Sequence, residues 1–167
     1  MRSPIVLPAL ALVLSSCGNE PSSDRQQVED EADIAAVEAL QKAPPTPIDP
    51  DPILYPDIER NKLYGASCAF APEGGGLGAI ALAMADAGYM KIDGAIQRFA
   101  PDPGSKEQPL GTRVEYDGRS YSFTLALGAG EGRQSGQETT DFSATLTVRN
   151  SDDEVVYRSK GIAQCGV

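Results

Sequence analysis

The chain has 167 residues and a formal net charge of −10, and it contains neither histidine nor tryptophan. The absence of histidine excludes Ser-His and Cys-His nucleophile pairs, His-ligated zinc and imidazole acid–base chemistry at neutral pH. The acidity disfavours nucleic acid and anionic lipid headgroups as partners and favours basic proteins.

The N-terminus has the pattern of an export signal. Arg2 precedes an apolar run from Pro4 to Leu14, which is shorter than the roughly 20 residues that a membrane-spanning helix needs. The run ends in Leu14-Ser15-Ser16-Cys17, and this stretch resembles the lipobox of bacterial lipoproteins. The alternative is an ordinary secretory signal that happens to be followed by a cysteine.

The resemblance to bacterial lipoproteins implies that residues 1–16 are a signal peptide. It also implies that Cys17 becomes the N-terminus, with diacylglyceryl on its thiol and a fatty acid such as palmitate on its amino group. Because Gly18 and not an aspartate follows the cysteine, the resemblance implies the outer membrane, on its periplasmic side. Removal of Arg2 with the signal changes the net charge from −10 to −11, so attachment to the membrane would be covalent.

Residues 17–57 are predicted to be a tether. Residues 24–43 have helix-forming composition, a narrow apolar stripe and acids in the first half, typical of a helix that fluctuates within the tether or docks on a partner or on the domain. Residues 44–56 contain six prolines, which predict an extended spacer about 40 Å long.

Residues 58–167 are predicted to form one all-β domain, because large apolar residues recur at every second position. The second run also contains alanines that leave a helix open as an alternative. Runs with this alternation are 64–70, 80–84, 89–92, 95–99, 112–116, 119–127, 140–148 and 155–165. They predict an antiparallel meander of about eight strands, closed as a small barrel or stacked as a sandwich.

Turn signals predict the register of two hairpins. Asp117-Gly118 is the strongest hairpin signal in the chain, and a two-residue turn there would pair Tyr116 with Arg119. A two-residue turn in the last hairpin would place Val148 opposite Val155.

Two cysteines remain once Cys17 is assigned to the lipid. Cys68 and Cys165 would both lie in an oxidising compartment, and alternation points both side chains inward. A disulfide between them is predicted; it would tie the first strand to the last and close a loop of about 100 residues, for which chain entropy allows up to about 4.7 kcal/mol. A redox-active pair is the alternative, although such pairs usually have the spacing C-x-x-C.

Two glycine-rich loops are candidate contact surfaces, because loops on a rigid sheet often carry recognition. They span residues 72–78 and 128–137, and plain solvent-exposed loops are the alternative. The first could cradle a phosphate through backbone amides, but it lacks the P-loop lysine and a βαβ context. The candidate binding residues are Glu73, Gly75, Leu77, Glu131 and Arg133.

No catalytic residue, metal site or cofactor is predicted. Most aspartates fall in predicted turns, where they satisfy local backbone amides. The acidic stretch at 150–154 has neither the glycine nor the spacing of an EF-hand loop. A serine–lysine hydrolytic pair has no recognisable motif in the chain.

Anchor, tether and disulfide-closed domain together favour a non-enzymatic binding or assembly lipoprotein that engages a basic protein or an envelope component. A specific version is an inhibitor of a basic hydrolase such as lysozyme, since the chain resembles small lipid-anchored β-barrel inhibitors in anchor, size and disulfide but lacks their inhibitory loop motif. The alternatives are a carrier of a small apolar ligand inside the β domain and an enzyme of unknown type.

Overall fold

The computed structural model describes residues 23–41, 43–76 and 78–167. The predicted signal peptide, the predicted lipidation site Cys17 and the candidate binding residue Leu77 lie outside these ranges. The chain divides into two units, Met1–Ala43 and Pro44–Val167, and each is described by itself.

The first unit contains one helix, α1, which spans Ser23–Gln41. The helix predicted over residues 24–43 is therefore present. Its apolar side chains Val28, Ile34 and Val37 are exposed, and its first half is rich in acids. Within the described ranges, no helix combines the length and the apolar character that crossing a membrane requires.

The second unit is a closed antiparallel β-barrel. Six strands follow one another as a meander, and the sheet closes through the pairings β1–β9, β9–β8 and β8–β6. The all-β prediction is confirmed, and the closure decides for a barrel over a sandwich. The elements are α2 Tyr55–Asn61, β1 Ser67–Pro72, β2 Ala81–Met84, β3 Gly88–Ile92, β4 Ala95–Pro101, β5 Glu115–Asp117, β6 Tyr121–Leu127, β7 Arg133–Gln134, β8 Thr139–Asn150 and β9 Val155–Gly166.

Large side chains fill the barrel interior. Tyr116 stacks on Phe123 with ring centroids 4.8 Å apart, and Phe99 meets Phe123 edge-on at 5.0 Å. The Tyr116 hydroxyl donates to the carbonyl oxygen of Met84 at 2.7 Å. Gly88 makes room for the rings, because a Cβ there would lie 2.6 Å from Phe123. Eight strands enclose a space just wide enough for side chains, and here aromatic rings occupy it.

The predicted disulfide is present. Cys68 and Cys165 are bonded, at a sequence separation of 97, and they are direct cross-strand partners on β1 and β9. Both side chains point inward and are buried, as the alternation predicts. The bond therefore joins the two strands whose pairing closes the barrel.

The proline-rich segment packs on the barrel, which differs from the expectation of a free spacer. Backbone amides of Ile48, Asp51 and Ile53 donate to carbonyl oxygens of Val156, Lys91 and Ala79 at 3.0, 2.8 and 2.7 Å. We call residues 48–61, which include α2, the strap.

The reason for this packing is an apolar outer surface on the barrel. Leu82, Tyr89 and Ile96 point outward from β2, β3 and β4, and together with Ile53 and Leu63 they form a second hydrophobic cluster. Covering these side chains removes them from water, which outweighs the preference of a proline-rich segment for a free extended state. The sequence reveals the prolines, but it does not reveal that the barrel has an apolar outer surface for this segment to cover.

The predicted register of the β5–β6 hairpin is wrong. Tyr116 pairs with Phe123 and not with Arg119, because the amide of Gly118 donates to the carbonyl oxygen of Tyr121 and closes a longer turn. The displacement is an even number of residues, so Tyr116 and Phe123, which share a face in the predicted register, still share one.

The predicted register of the last hairpin is also wrong. Val148 pairs with Tyr157, and a bulge follows between Val148 and Arg149. Asn150 builds the turn, since its side-chain oxygen accepts from two backbone amides. As a result Val155 is exposed and its neighbour Val156 is buried.

The predicted glycine-rich loop over 128–137 contains the short strand β7. Arg133 and Gln134 pair with Asp141 and Thr140 on the edge of β8. The segment is therefore partly ordered against the sheet.

Replacing both Cys68 and Cys165 by alanine is expected to lower the free energy of unfolding by about 2–4 kcal/mol, because the unfolded chain is no longer constrained. Urea unfolding of oxidised protein measures the difference. Reduced wild type should match the variant, and a reductant should leave the variant unchanged; equal stability of oxidised wild type and variant would contradict the expectation.

Ile53→Ala is expected to destabilise the second unit by about 2–4 kcal/mol, because a buried strap side chain is lost. The neighbouring Leu54→Ala removes a side chain that is 51% exposed and should cost less than about 1 kcal/mol. Equal effects of the two substitutions in thermal unfolding would show that the strap is not packed on the barrel.

Candidate functional site

A groove of about 470 Å³ runs along the outer surface of β1, between the strap and β9. We call it the β1–β9 groove. Its strap wall, its floor and its far wall are lined by Ile53, Leu54, Tyr55, Ile58, Ala69, Ala71, Gly78, Ala79, Leu82, Asp141, Ile162 and Gln164. Most of these side chains are apolar, although they face outward from the barrel.

The groove exists because small and large side chains alternate around it. Ala69 and Ala71 occupy the outward positions of β1 and form a low floor. Tyr55 and Leu54 on the strap are 65% and 51% exposed, and Ile162 on β9 is 45% exposed. Large apolar residues therefore stand in solvent on both sides of an alanine floor.

An ion pair holds the strap wall in place. The Asp57 carboxylate accepts from the amide of Leu54 at 3.0 Å and from the Lys91 ammonium at 3.0 Å. The hydrogen bond from Leu54 and the one from Lys91 hold the pKa of Asp57 below its ordinary value. Asp57 thus caps the start of α2 and fastens that helix to β3.

A fixed carboxylate lies at the polar end of the groove. Asp141 accepts from the Ser135 hydroxyl at 2.7 Å, from the Gln164 amide at 3.1 Å and from the Arg133 guanidinium at 2.6 Å. The Ser135 and Gln164 hydrogen bonds, together with the charge of Arg133, lower the pKa of Asp141. This end presents an ion pair with fixed geometry and little net charge.

The structure distributes the predicted binding residues over different places. Arg133 does not line the groove itself, but it forms an ion pair with Asp141, which does. Glu73 lines a separate depression of about 400 Å³ together with Lys160 and Gly128. Gly75 and Glu131 are exposed in their loops and do not line the groove.

The groove residues were not identified from the sequence, although one of them carries a signal. Ile162 lies at an outward position on β9, and the outward residues on either side of it, Lys160 and Gln164, are polar. An isoleucine among outward polar residues is therefore the signal that the sequence carries. Tyr55 lies within the proline-rich stretch, where no periodicity predicts its orientation. Asp141 occupies a polar position of the predicted strand 140–148, where nothing in the pattern marks it as part of a site.

The chemistry of the groove is that of a contact surface, with an apolar centre and a neutralised ion pair at one end. In the described part of the chain, no cluster of three or more acids or cysteines is placed to hold a metal ion. Comparisons with protein-family models, with curated proteins and with solved structures find no match for the chain.

Asp57→Asn is expected to destabilise the barrel at pH 7 and progressively less toward pH 3. The folded-state pKa of Asp57 is below the model-peptide value of 3.8, so its carboxylate stabilises the fold above that pH, and this contribution is lost as the pH falls through the folded-state pKa. Thermal unfolding between pH 7 and pH 3 measures the difference.

Asp86→Asn is the matched control for this pH series, since its carboxylate makes no ion pair with any described residue. It should shift the melting temperature little and equally at all pH values. A difference between wild type and Asp57→Asn that stays constant down to pH 3 would rule out the carboxylate as its cause.

Proposed function

We propose that this protein is a non-enzymatic binding module, held by a lipid on Cys17 at the periplasmic side of the outer membrane, whose β1–β9 groove receives an apolar segment of a basic partner protein. The observation that carries the proposal is the exposure of Leu54, Tyr55 and Ile162 around one alanine floor. Grouped apolar side chains on a soluble surface mark sites of protein contact, whereas isolated ones do not.

The charge of the barrel unit selects the partner. Residues 44–167 contain 17 Asp and Glu residues and 11 Lys and Arg residues, a net charge of −6. Glu59 lies four residues after Tyr55 on α2, hence on the same side of that helix, and Glu73 comes directly after β1, which ends at Pro72. Both glutamates are exposed, so a partner that inserts an apolar segment gains by carrying cations beside it.

The filled interior favours this binding module over a carrier. Tyr116, Phe123, Phe99, Phe70 and Met90 are fully buried within the ring of strands, where a carrier would hold its ligand. The groove, in contrast, is open to solvent on the outer surface.

The membrane anchor is supported by the resemblance of Leu14-Ser15-Ser16-Cys17 to the lipobox of bacterial lipoproteins. The Cys68–Cys165 disulfide fits the same location, since structural disulfides persist in exported proteins. An anchored module would meet its partner at the membrane surface.

Ile162→Gln is expected to weaken partner binding about tenfold or more, because it places an amide in the apolar part of the groove. Oxidised protein lacking residues 1–17 would be immobilised, proteins retained from the bacterial envelope would be identified by mass spectrometry, and affinity would then be measured with the purified partner. Higher salt should weaken binding further, as expected for a basic partner.

Val155→Gln is the matched control, since Val155 is an exposed apolar residue of the same strand outside the groove. It should leave affinity unchanged. A partner whose affinity responds equally to both substitutions would contradict the role of the groove.

Lysozyme tests the inhibitor version of the proposal, and cytochrome c serves as a basic protein that is not a hydrolase. Equal binding of both proteins would indicate charge attraction alone.

A further inference from the structure

The first half of β4 has a strand on only one side. β4 pairs with β3 from Ala95 to Phe99, but it pairs with β5 only through Ala100 and Pro101. The β3–β4 hairpin therefore projects beyond the β5–β6 turn, and residues 95–98 form a sheet edge.

The hydrogen-bond pattern identifies which backbone groups this edge presents. Asp93 and Gly94, both with positive φ, make a two-residue turn, so the flanking pair Ile92 and Ala95 is hydrogen-bonded. By alternation Gln97 also bonds to β3, and the N–H and C=O groups of Ile96 and Arg98 point the other way. No described residue accepts from or donates to those four groups.

The second half of β4 confirms to which side of the strand these backbone groups point. The amide of Asp102 donates to the carbonyl oxygen of Glu115 at 2.9 Å, and residue 102 has the same parity as residues 96 and 98. The side of β4 that is paired farther along the strand is thus the side left open at residues 95–98.

Neighbouring elements leave this edge open but close the opposite one. Gly118 packs so tightly on Phe99 that a Cβ there would lie 2.7 Å from the ring, and the chain then turns into β6. On the other side of the hairpin, the strap bonds to Lys91 through the amide of Asp51. Only the β4 side remains available, and Ala95 and Arg98 are exposed there.

We propose that the β4 edge, residues 95–98, binds an extended segment of a basic partner protein by strand addition. Free N–H and C=O groups at every second residue match another β-strand. Exposed acids lie near both ends of the edge, at Asp93 and Asp117, and the exposed cation on the edge itself, Arg98, donates to the carbonyl oxygen of Asp86. Together with the net charge of −6 of the barrel unit, the acids favour cationic side chains on the added strand. A second copy of this chain would bring the same acids and a net charge of −6 against themselves.

This edge is independent of the β1–β9 groove. The groove is lined by the strap, β1 and β9, whereas the edge belongs to β4. A variant of one site should leave binding at the other unchanged, so the two proposals fail or succeed separately.

Arg98→Pro and Arg98→Ala form a matched pair of variants. Both remove the arginine side chain and its hydrogen bond to the carbonyl oxygen of Asp86, but only proline also removes the edge N–H. Proline is tolerated on an edge strand when its nitrogen faces solvent. Arg98→Pro is expected to weaken binding of an added strand about fivefold to tenfold relative to Arg98→Ala.

The probe is a synthetic peptide of alternating valine and lysine, with a valine–glutamate peptide as the charge control. Calorimetry on the full mature chain measures affinity, and NMR hydrogen exchange in wild type reports the amides of Ile96 and Arg98, so the test stands even if Arg98→Pro fails to fold. The lysine peptide is expected to slow the exchange of these two amides about tenfold. The glutamate peptide should slow their exchange much less.

Three results would overturn the proposal. Unchanged exchange at Ile96 and Arg98 in saturating lysine peptide would place binding elsewhere. Equal affinities of the proline and alanine variants would show that the edge N–H is not used. Self-association that protects the same amides without peptide, seen by sedimentation, would make a second copy the occupant.

Discussion

Pairing of β1 with β9 is the constraint on which this fold depends. Ser67 to Pro72 must find Gly166 to Gly161, across nearly the whole length of the barrel unit, before the sheet can close. The Cys68–Cys165 bond lies within that pairing and fixes its register. Closure then bends the long β8–β9 hairpin, since β9 pairs with β1 at one end while β8 pairs with β6 at the other. Gly161 lies at the bend, where a Cβ would overlap the carbonyl oxygen of Ala71.

The β1–β9 groove and the β4 edge lie where the barrel has no covering segment or no neighbouring strand. The strap covers the outward apolar residues of β2 to β4 but ends short of β9, and the uncovered strip between them is the β1–β9 groove. The β4 edge has a different origin, because the β3–β4 hairpin projects beyond the β5–β6 turn and residues 95–98 have no strand on that side.

The charged side chains of the barrel unit include both ion pairs and a surplus of acids. Several of the cations are held in ion pairs: Lys91 with Asp57, Arg113 with Glu107, Arg133 with Asp141, and Arg149 with Asp153. Pairing of this kind contributes little to stability where both groups are exposed, and because each pair removes one cation and one acid, the net charge of −6 stays with the other charged groups. The remaining surface of the barrel unit is acidic, which favours encounter with basic proteins.

The sequence by itself determined the periodicity of the strands, the inward faces of Cys68 and Cys165 and the existence of their bond, because side-chain alternation and cysteine number are local properties. It also determined that Tyr116 and Phe123 share a face, since a register error of an even number of residues keeps side chains on the same face. Only the tertiary structure decided the registers of the two hairpins, because the turn at Gly118 depends on packing against Phe99 and the bulge at Val148 on the length of the turn. It likewise decided the place of the strap and with it the groove. The strap residues Leu54 and Tyr55 are distant in sequence from Ala71 and from Ile162. They share a surface only because closure of the barrel brings β9 beside β1 and the burial of Ile53 holds the strap on the other side of β1.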